Sequence, residues 1–311
     1  MAILALAWVV VSIALGATTF VRVTVLAQSL LPIIFLPVWI AAVFAFSRKE
    51  WLLAGACVVL VVAQIVVVAP AVGSDALPRW AAHAPAITIE SANVWDENPS
   101  PTAAARSLVA SHADVLVLVE VANSMQRALQ RAGIDRRFPH QLKAVASQNG
   151  TNDGIYSRLP LTHETLIHDV LNELPAATVT RAGRSLRIVA VHIDGPLHGR
   201  TQWQAELGDL VTVARVQSGP LAIVGDFNAT RWNPPFRDLL DTNLTDAHES
   251  RGQGLSRSWP VRGTAFAVFG PLMRLDHALT NANAVATKVR DLVIPGSDHV
   301  GFEVTVAMRR R

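Results

Sequence analysis

The first 72 residues carry only four charged side chains, Arg22, Arg48, Lys49 and Glu50, and every other charge in the chain lies beyond them. A water-soluble domain needs a charged surface, so a stretch this poor in charge is expected to face lipid. Three apolar runs can be drawn in it, at about 2–21, 25–46 and 51–72, each near the roughly 20 residues a helix needs to cross the hydrocarbon. Arg22 and the run Ser47-Arg48-Lys49-Glu50 separate them, and Pro32 and Pro37 fall inside the second. A kink there is tolerated if neighbouring helices cover the freed carbonyls. A cleaved leader competes for the first run, but it lacks a basic start and apolar character resumes directly after Arg22. Basic residues favour the cytoplasmic side, which puts Arg48 and Lys49 inside. Three spans then leave residues beyond 72 outside, whereas two would reverse one end. The expectation is an integral membrane protein whose partner is the bilayer, with an extracytoplasmic domain. Residues 73–85, rich in Pro, Ala and small polar groups, read as a linker to a domain covering 86–311.

The net charge of +3 and a pI near 9.6 suggest nucleic acid at first sight. Of 27 Lys plus Arg and 24 Asp plus Glu in the chain, all but the four named above lie in the second part, which is therefore close to neutral. Overall charge gives no support for the clustered basic face of a nucleic-acid binder. Cys57, the one cysteine, sits in an apolar run and serves packing; neither an internal disulfide nor a cysteine metal site is available. Nothing in the sequence implies a protein partner.

From residue 86 strands alternate with helices. Strands are expected at 87–94, 114–120, 185–193, 221–224, 275–280 and 301–307, and helices after Pro101, at 122–132 and at 200–216. The continuous apolar runs DVLVLVE and LAIV are those of strands buried on both faces. Strands outnumber helices, which makes the domain mixed α and β with a substantial sheet component. Polar residues recur at the strand ends: Asn93, Glu120, His192, Asp226, Asn228, Asp276, and Asp298 with His299 before the last strand. Carboxylates at the ends of buried strands are costly unless compensated. Several converging on one sheet edge repel one another, and a hard divalent cation bound through oxygen is the simple remedy.

Taken in order, SANVW (91–95), DVLVLVEV (114–121), NDGIYSRLPL (152–161), VAVHIDGP (189–196), VGDFNATRW (224–232), SRSWP (256–260), RLDHAL (274–279) and GSDHVGF (296–302) resemble the endonuclease/exonuclease/phosphatase superfamily, from about residue 86 to 308. The resemblance implies a four-layer α/β/β/α sandwich following the transmembrane region, and a phosphoesterase that uses Mg²⁺ or Mn²⁺. By residue, it implies metal binding by Glu120, Asn93 and Asp298. It implies that Asp226 and Asn228 position or deprotonate the attacking water and bond the phosphoryl oxygens. Asp276 and His299 match a carboxylate–imidazole pair, and His192 a second active-site histidine. Asp153 either orients a histidine or serves a turn; Trp232 and Trp259 either pack or line the cleft. His277 is expected to point to the opposite face of its strand from Asp276, and His83, His112, His140, His163, His168, His198 and His248 have no motif around them. Many family members read LQE where this chain has Leu118-Val119-Glu120, so a polar group beside the glutamate is missing. No long hydrophobic hairpin for entering lipid is evident.

The substrate stays open at this point. A phosphodiester of nucleic acid leads, with Arg158, Arg181, Arg184, Arg187, Arg200 and Arg231 as a basic stripe if they share a face. Lipid head groups, phosphomonoesters, and a silent membrane binding protein are the alternatives; the last should have lost Glu120, Asp226, Asp276 or His299, and all are present.

Overall fold

A computed structural model describes residues 22–144, 150–168 and 173–309. The first apolar run lies outside the described residues. The second is not one continuous helix. It forms α1 (Arg22–Ser29), α2 (Leu31–Ile34) and α3 (Leu36–Ser47), with Pro32 and Pro37 each in the first turn of the helix that follows a break. A proline has no N–H to give the preceding turn and is at home only where a helix starts. The third run is a single helix, α4 (Trp51–Val72), whose 22 residues are long and apolar enough to cross a membrane.

The helix α1 does not face lipid throughout. Val25 is buried against the domain beyond residue 86, in one cluster with Trp203, Leu207, Phe227 and Phe236. The Asn233 amide donates to the Val25 carbonyl at 3.2 Å, and the Ser29 hydroxyl donates to Asn233 Oδ1 at 3.1 Å. The segment after α4 is likewise fastened: Asp75 N donates to the Ser250 carbonyl, and Arg251 donates back to the Asp75 carbonyl. The apolar helices and the domain after them are therefore packed together.

Among the described residues the domain holds twelve strands in two sheets. The first sheet is formed by β1 (Ala86–Asn93), β2 (Val115–Val121), β3 (His140–Lys143), β4 (Asn152–Ser157), and the last two strands of the chain. The second contains β5 (Leu161–His168), β6 (Glu173–Arg181), β7 (Arg184–His192), β8 (Leu221–Asp226), β9 (Thr245–Asp246) and β10 (Asp276–Thr280). The chain returns to the first sheet as β11 (Ala284–Val293) and β12 (Val300–Met308). The strand orders are β11-β12-β1-β2-β4-β3 and β5-β6-β7-β8-β10-β9.

The inner faces meet in one apolar layer that includes Ile89, Val117, Ile188, Val224 and Val304. Outside the first sheet lie α5 (Pro101–Ala110) and α6 (Asn123–Ala132); outside the second lie α7 (Arg200–Val216) and α8 (Pro234–Leu240). This is the four-layer sandwich expected. The hairpin β5–β6, the neighbouring strands β3 and β4, the short β9 and β11 add strands beyond those read from the sequence.

Connectivity places the site. β1 and β2 run parallel through the crossover helix α5, and β7 and β8 run parallel through α7. Asn93 and Glu120 thus end neighbouring strands of one sheet, and His192 and Asp226 are register partners ending neighbouring strands of the other. Antiparallel β10 begins opposite β8, with Asp276 paired to Asp226. Antiparallel β12 begins beside the end of β1, which brings Asp298 and His299 to the same edge.

Candidate active site

Two backbone irregularities aim the acids. The β2–β4 register slips between Leu118 and Val121, and within that bulge Glu120 takes φ 57°. Such a conformation is costly for a residue with a Cβ and marks a side chain being redirected. The Asp153 carboxylate holds it by accepting from Glu120 N at 3.1 Å. At the end of β8, Gly225 has φ 146°, and a Cβ there would stand 2.0 Å from the Val191 carbonyl oxygen. Only glycine allows β7 and β8 this approach, and the turn it permits presents Asp226 and then Asn228, itself at φ 45°.

The polar groups converge. Asn93 Nδ2 donates to Glu120 Oε1 at 2.7 Å and to Asp226 Oδ2 at 3.0 Å. His192 lies between two carboxylates, with Nε2 3.3 Å from Glu120 Oε1 and Nδ1 3.6 Å from Asp153 Oδ2. His299 Nδ1 is 2.7 Å from Asp276 Oδ2, and its Nε2 is 3.7 Å from Asp226 Oδ2. The amide N of Asn228 donates to Asp226 Oδ1 at 2.8 Å, and Trp259 Nε1 donates to Asp298 Oδ2 at 3.1 Å. The structure thus brings all eight sequence-expected residues to one place. Six of them (Glu120, His192, Asp226, Asn228, Asp298 and His299) line a cavity of about 370 Å³, while Asn93 and Asp276 lie behind them.

Burial penalises charge here, and the neighbours decide the outcome. Burial pushes the Asp226 carboxyl up, and the adjacent Asp276 adds to this, to about 6. Burial would also raise Glu120, but the His192 ring, the Asn93 amide and His299 outweigh it and hold the carboxyl at about 2. Burial lowers the His299 imidazole, yet Asp276, Asp226 and Asp298 overcome this and lift it to about 10. His192 is likewise lifted well above the usual imidazole range by Asp153 and Glu120 against its burial. Asp298 is raised, by burial first and then by Glu120. The site is a set of carboxylates and imidazoles of alternating charge.

The donors suit a divalent cation. One ligand atom each from Glu120, His192 and Asp226 lie within 4.8 Å of one another, and so do those of Asp226, Asp276 and His299. Oδ1 of Asp298 and Oδ1 of Asp276 are buried with no hydrogen-bond partner. A buried carboxylate oxygen with a free lone pair is what a hard cation takes.

Several contributors were not read from the sequence as site residues. The Ser297 hydroxyl donates to the Asn93 carbonyl at 2.8 Å and accepts from His299 N at 2.9 Å. The Ser258 hydroxyl accepts from Leu275 N and Asp276 N. Both lie inside the SRSWP and GSDH blocks, but serine in a turn carries no distinguishing signal. His277 faces away from the cavity, as its strand position requires: Nδ1 is 2.5 Å from Asp246 Oδ2, and the ring packs on Phe227 and Phe236. His248 is buried beside Asp291.

The six arginines considered for a basic stripe do not gather at this cavity, whose described lining includes no Lys or Arg. Arg158 donates to the Ser111 carbonyl and lies over Phe138, Arg181 pairs with Asp114, and Arg187 donates to the His163 carbonyl. Arg184 opens β7 at the end opposite His192, Arg200 opens α7, and Arg231 pairs with Glu249 at 2.6 Å.

Comparison with known proteins bears on the fold. A humanised D. rerio TDP2 superposes with a TM-score of 0.57 at 16% identity, covering 72% of this chain and 99% of that one. An endonuclease/exonuclease/phosphatase from Bacteroides vulgatus gives 0.58 at 12%, covering 72% and 100%. Another from Beutenbergia cavernae gives 0.55 at 16%, covering 72% of each. Among curated proteins none matches in sequence. Residues 91–299 match the sequence model of the Endonuclease/Exonuclease/phosphatase family, and the chain belongs to that family.

Proposed function

We propose that this chain is a divalent-metal-dependent phosphodiesterase, held in the membrane by residues 1–72, joined through 73–85, and acting through 86–311 on the extracytoplasmic side. The observation that carries the reading is the meeting of Asn93, Glu120, His192, Asp226, Asn228, Asp298 and His299 at one sandwich edge, from strands of both sheets. Glu120, Asn93 and Asp298 would hold Mg²⁺ or Mn²⁺, which when bound neutralises phosphate charge and polarises the scissile ester.

The protein groups then have defined tasks. Asp226, fixed by Asn228 N and Asn93 Nδ2, takes a proton from water as the water oxygen bonds to phosphorus in line with the leaving oxygen. Asn228 and the His299 imidazolium donate hydrogen bonds to phosphoryl oxygens, whose charge grows in the transition state. The His192 imidazolium gives its proton to the departing alkoxide as the P–O bond breaks. Asp276 and Asp153 fix the rings of His299 and His192. No covalent enzyme intermediate is needed.

One structural neighbour, a D. rerio TDP2, is complexed with a single-strand DNA product, which points to nucleic acid as substrate. A polyanion wants cationic groups along its path, and the described lining of this cavity offers none. A diester with one phosphate fits it better. The test is hydrolysis of bis(4-nitrophenyl) phosphate by the detergent-solubilised full chain with Mg²⁺ or Mn²⁺. Release of nitrophenol that vanishes in Asp226→Ala and His299→Ala supports the reading; equal turnover by the double variant defeats it.

A further inference from the structure

A second, larger cavity of about 770 Å³ lies between the apolar helices and the catalytic domain. One wall is Leu36 and Trp39 of α3 with Ile65, Val68, Ala69 and Val72 of α4; the facing wall includes Trp232, Leu255, Leu272 and Met273. Ser29 and Met273 line both this cavity and the catalytic one, so the two adjoin. We infer that the larger cavity seats the hydrocarbon chain of an amphiphilic phosphodiester whose phosphate lies among Glu120, Asp226 and His299. The inference rests on the diester reading above and names its substrate class.

Four observations carry it. The size falls within the roughly 300–1,000 Å³ of small-molecule sites. The wall given by the helices is apolar, with Leu36, Ile65 and Val72 54, 51 and 57% exposed, whereas the facing side also carries Arg231, Glu249, Arg257 and Arg274. A hydrocarbon chain can lie along that wall without desolvating a polar group there. The α4 residues involved belong to the last third of the membrane-length helix, next to the domain, so a lipid would reach the cavity along the bilayer surface without crossing water. The catalytic cavity itself continues the apolar wall with Val25, Leu26 and Leu197, and its described lining holds no Lys or Arg. Beside it, the turn Ala265–Phe269 leaves Phe266, Val268 and Phe269 exposed, an apolar edge close to Gly263, which abuts Trp95 of the catalytic lining.

The experiment compares two diesters with one leaving group, 4-nitrophenyl hexadecyl phosphate and 4-nitrophenyl ethyl phosphate, using the full chain in lipid nanodiscs with Mn²⁺. The expected kcat/KM favours the long chain by at least about tenfold. Ala69→Trp or Val68→Trp, which fill the cavity, bring that ratio toward one, while Val59→Trp on the exposed side of the same helix preserves it. A ratio near one in the unaltered protein, or a ratio untouched by filling the cavity, overturns the inference.

A binding readout separates this failure from failure of the catalytic reading. A hexadecyl phosphate brominated along its chain should quench the fluorescence of Trp39 and Trp232, and the quenching should diminish in Trp39→Phe and Trp232→Phe. Quenching without turnover of either diester would sink the hydrolase and leave the chain site standing. Absence of quenching, or photocrosslinking from position 36 to residues 1–21 in place of lipid, would sink the site.

Discussion

His299 Nδ1 lies 2.7 Å from Asp276 Oδ2, and Asp276 is itself the register partner of Asp226 across β10 and β8. One carboxylate thus sets the tautomer of the imidazole and raises the pKa of the neighbouring acid. Asp276→Asn keeps the shape but loses the charge, so the imidazolium loses its first stabilising partner. The expected result is a fall in kcat of about 10²–10⁴, the range general acid–base groups contribute, with little change in KM. A downfield Nδ1 proton resonance from His299, present in the parent and lost in the variant, distinguishes this positioning role from general damage. An unchanged kcat would remove Asp276 from the mechanism.

Asp226, as the proposed base, should give the rate its acid dependence. Its carboxyl is raised to about 6 by burial and by Asp276, and only the ionised form accepts the proton of water. In the proposed reaction kcat/KM therefore declines as pH drops through about 6 at low metal concentration. A cation held beside the carboxylate favours its charged form, so the limb should move to lower pH as Mg²⁺ is raised. A pH–rate profile with no acid limb above pH 4 at any metal concentration would contradict the assignment.

Gly225 offers a test of the backbone in isolation. An added Cβ would meet the Val191 carbonyl oxygen at 2.0 Å, at a φ that side chains rarely adopt. Gly225→Ala must push β7 from β8 or undo the turn that presents Asp226. The expectation is a loss of at least about 2 kcal/mol in unfolding free energy, the scale of steric and backbone-strain effects. Gly183→Ala, also at positive φ but with open space around it, should lose less. Thermal unfolding of the two variants side by side decides it.

How much of this was legible in the sequence depended on whether a residue's task shows in its neighbours. Glu120, Asp226, Asp276 and His299 stand at the ends of apolar strands in blocks of fixed order, and that context survives without coordinates. The bulge that turns Glu120 inward depends on pairing between β2 and β4, which a linear reading does not contain. The strand β5 escaped notice because most of its residues are exposed and lack an apolar run. Val25 illustrates the deeper limit: an apolar side chain looks the same whether lipid or protein covers it. The run from 25 to 46 reads as a span, yet Val25 is buried in the cluster that holds Phe227, and the prolines break the rest into short helices.

Metal removal supplies the next test. Glu120→Gln and Asp298→Asn each replace a charged oxygen with a neutral amide at a proposed ligand. Chelation should abolish diester hydrolysis, and Mg²⁺ or Mn²⁺ should restore it. Each substitution should raise the concentration needed for half-restoration by about 10–100-fold. Binding is also visible without turnover: a ligand at about 100 times its Kd stabilises the fold by roughly 2.7 kcal/mol, read as a rise in Tm. Chelator-resistant hydrolysis with no metal effect on Tm would exclude the proposed centre.

Asp246 predicts how the fold responds to acid. It is buried beside the larger cavity, with His277 Nδ1 2.5 Å from one oxygen and the amides of His248 and Glu249 donating to the other. Burial alone would raise its carboxyl, but the His277 ring and these donors outweigh it and hold it far below the ordinary carboxylate range. The unfolded chain, whose aspartates titrate near about 4, then takes up the proton before the folded one does. The stabilisation is accordingly complete above about pH 4 and lost as pH falls below it. Asp246→Asn should lower stability at neutral pH by about 3–5 kcal/mol, as when one partner of a buried pair is removed. It should also make Tm less sensitive to pH between about 5 and 3. Parallel Tm curves for parent and variant across that interval would show that Asp246 carries no proton linkage, and would reduce it to a cap on the Ala247–Ser250 turn.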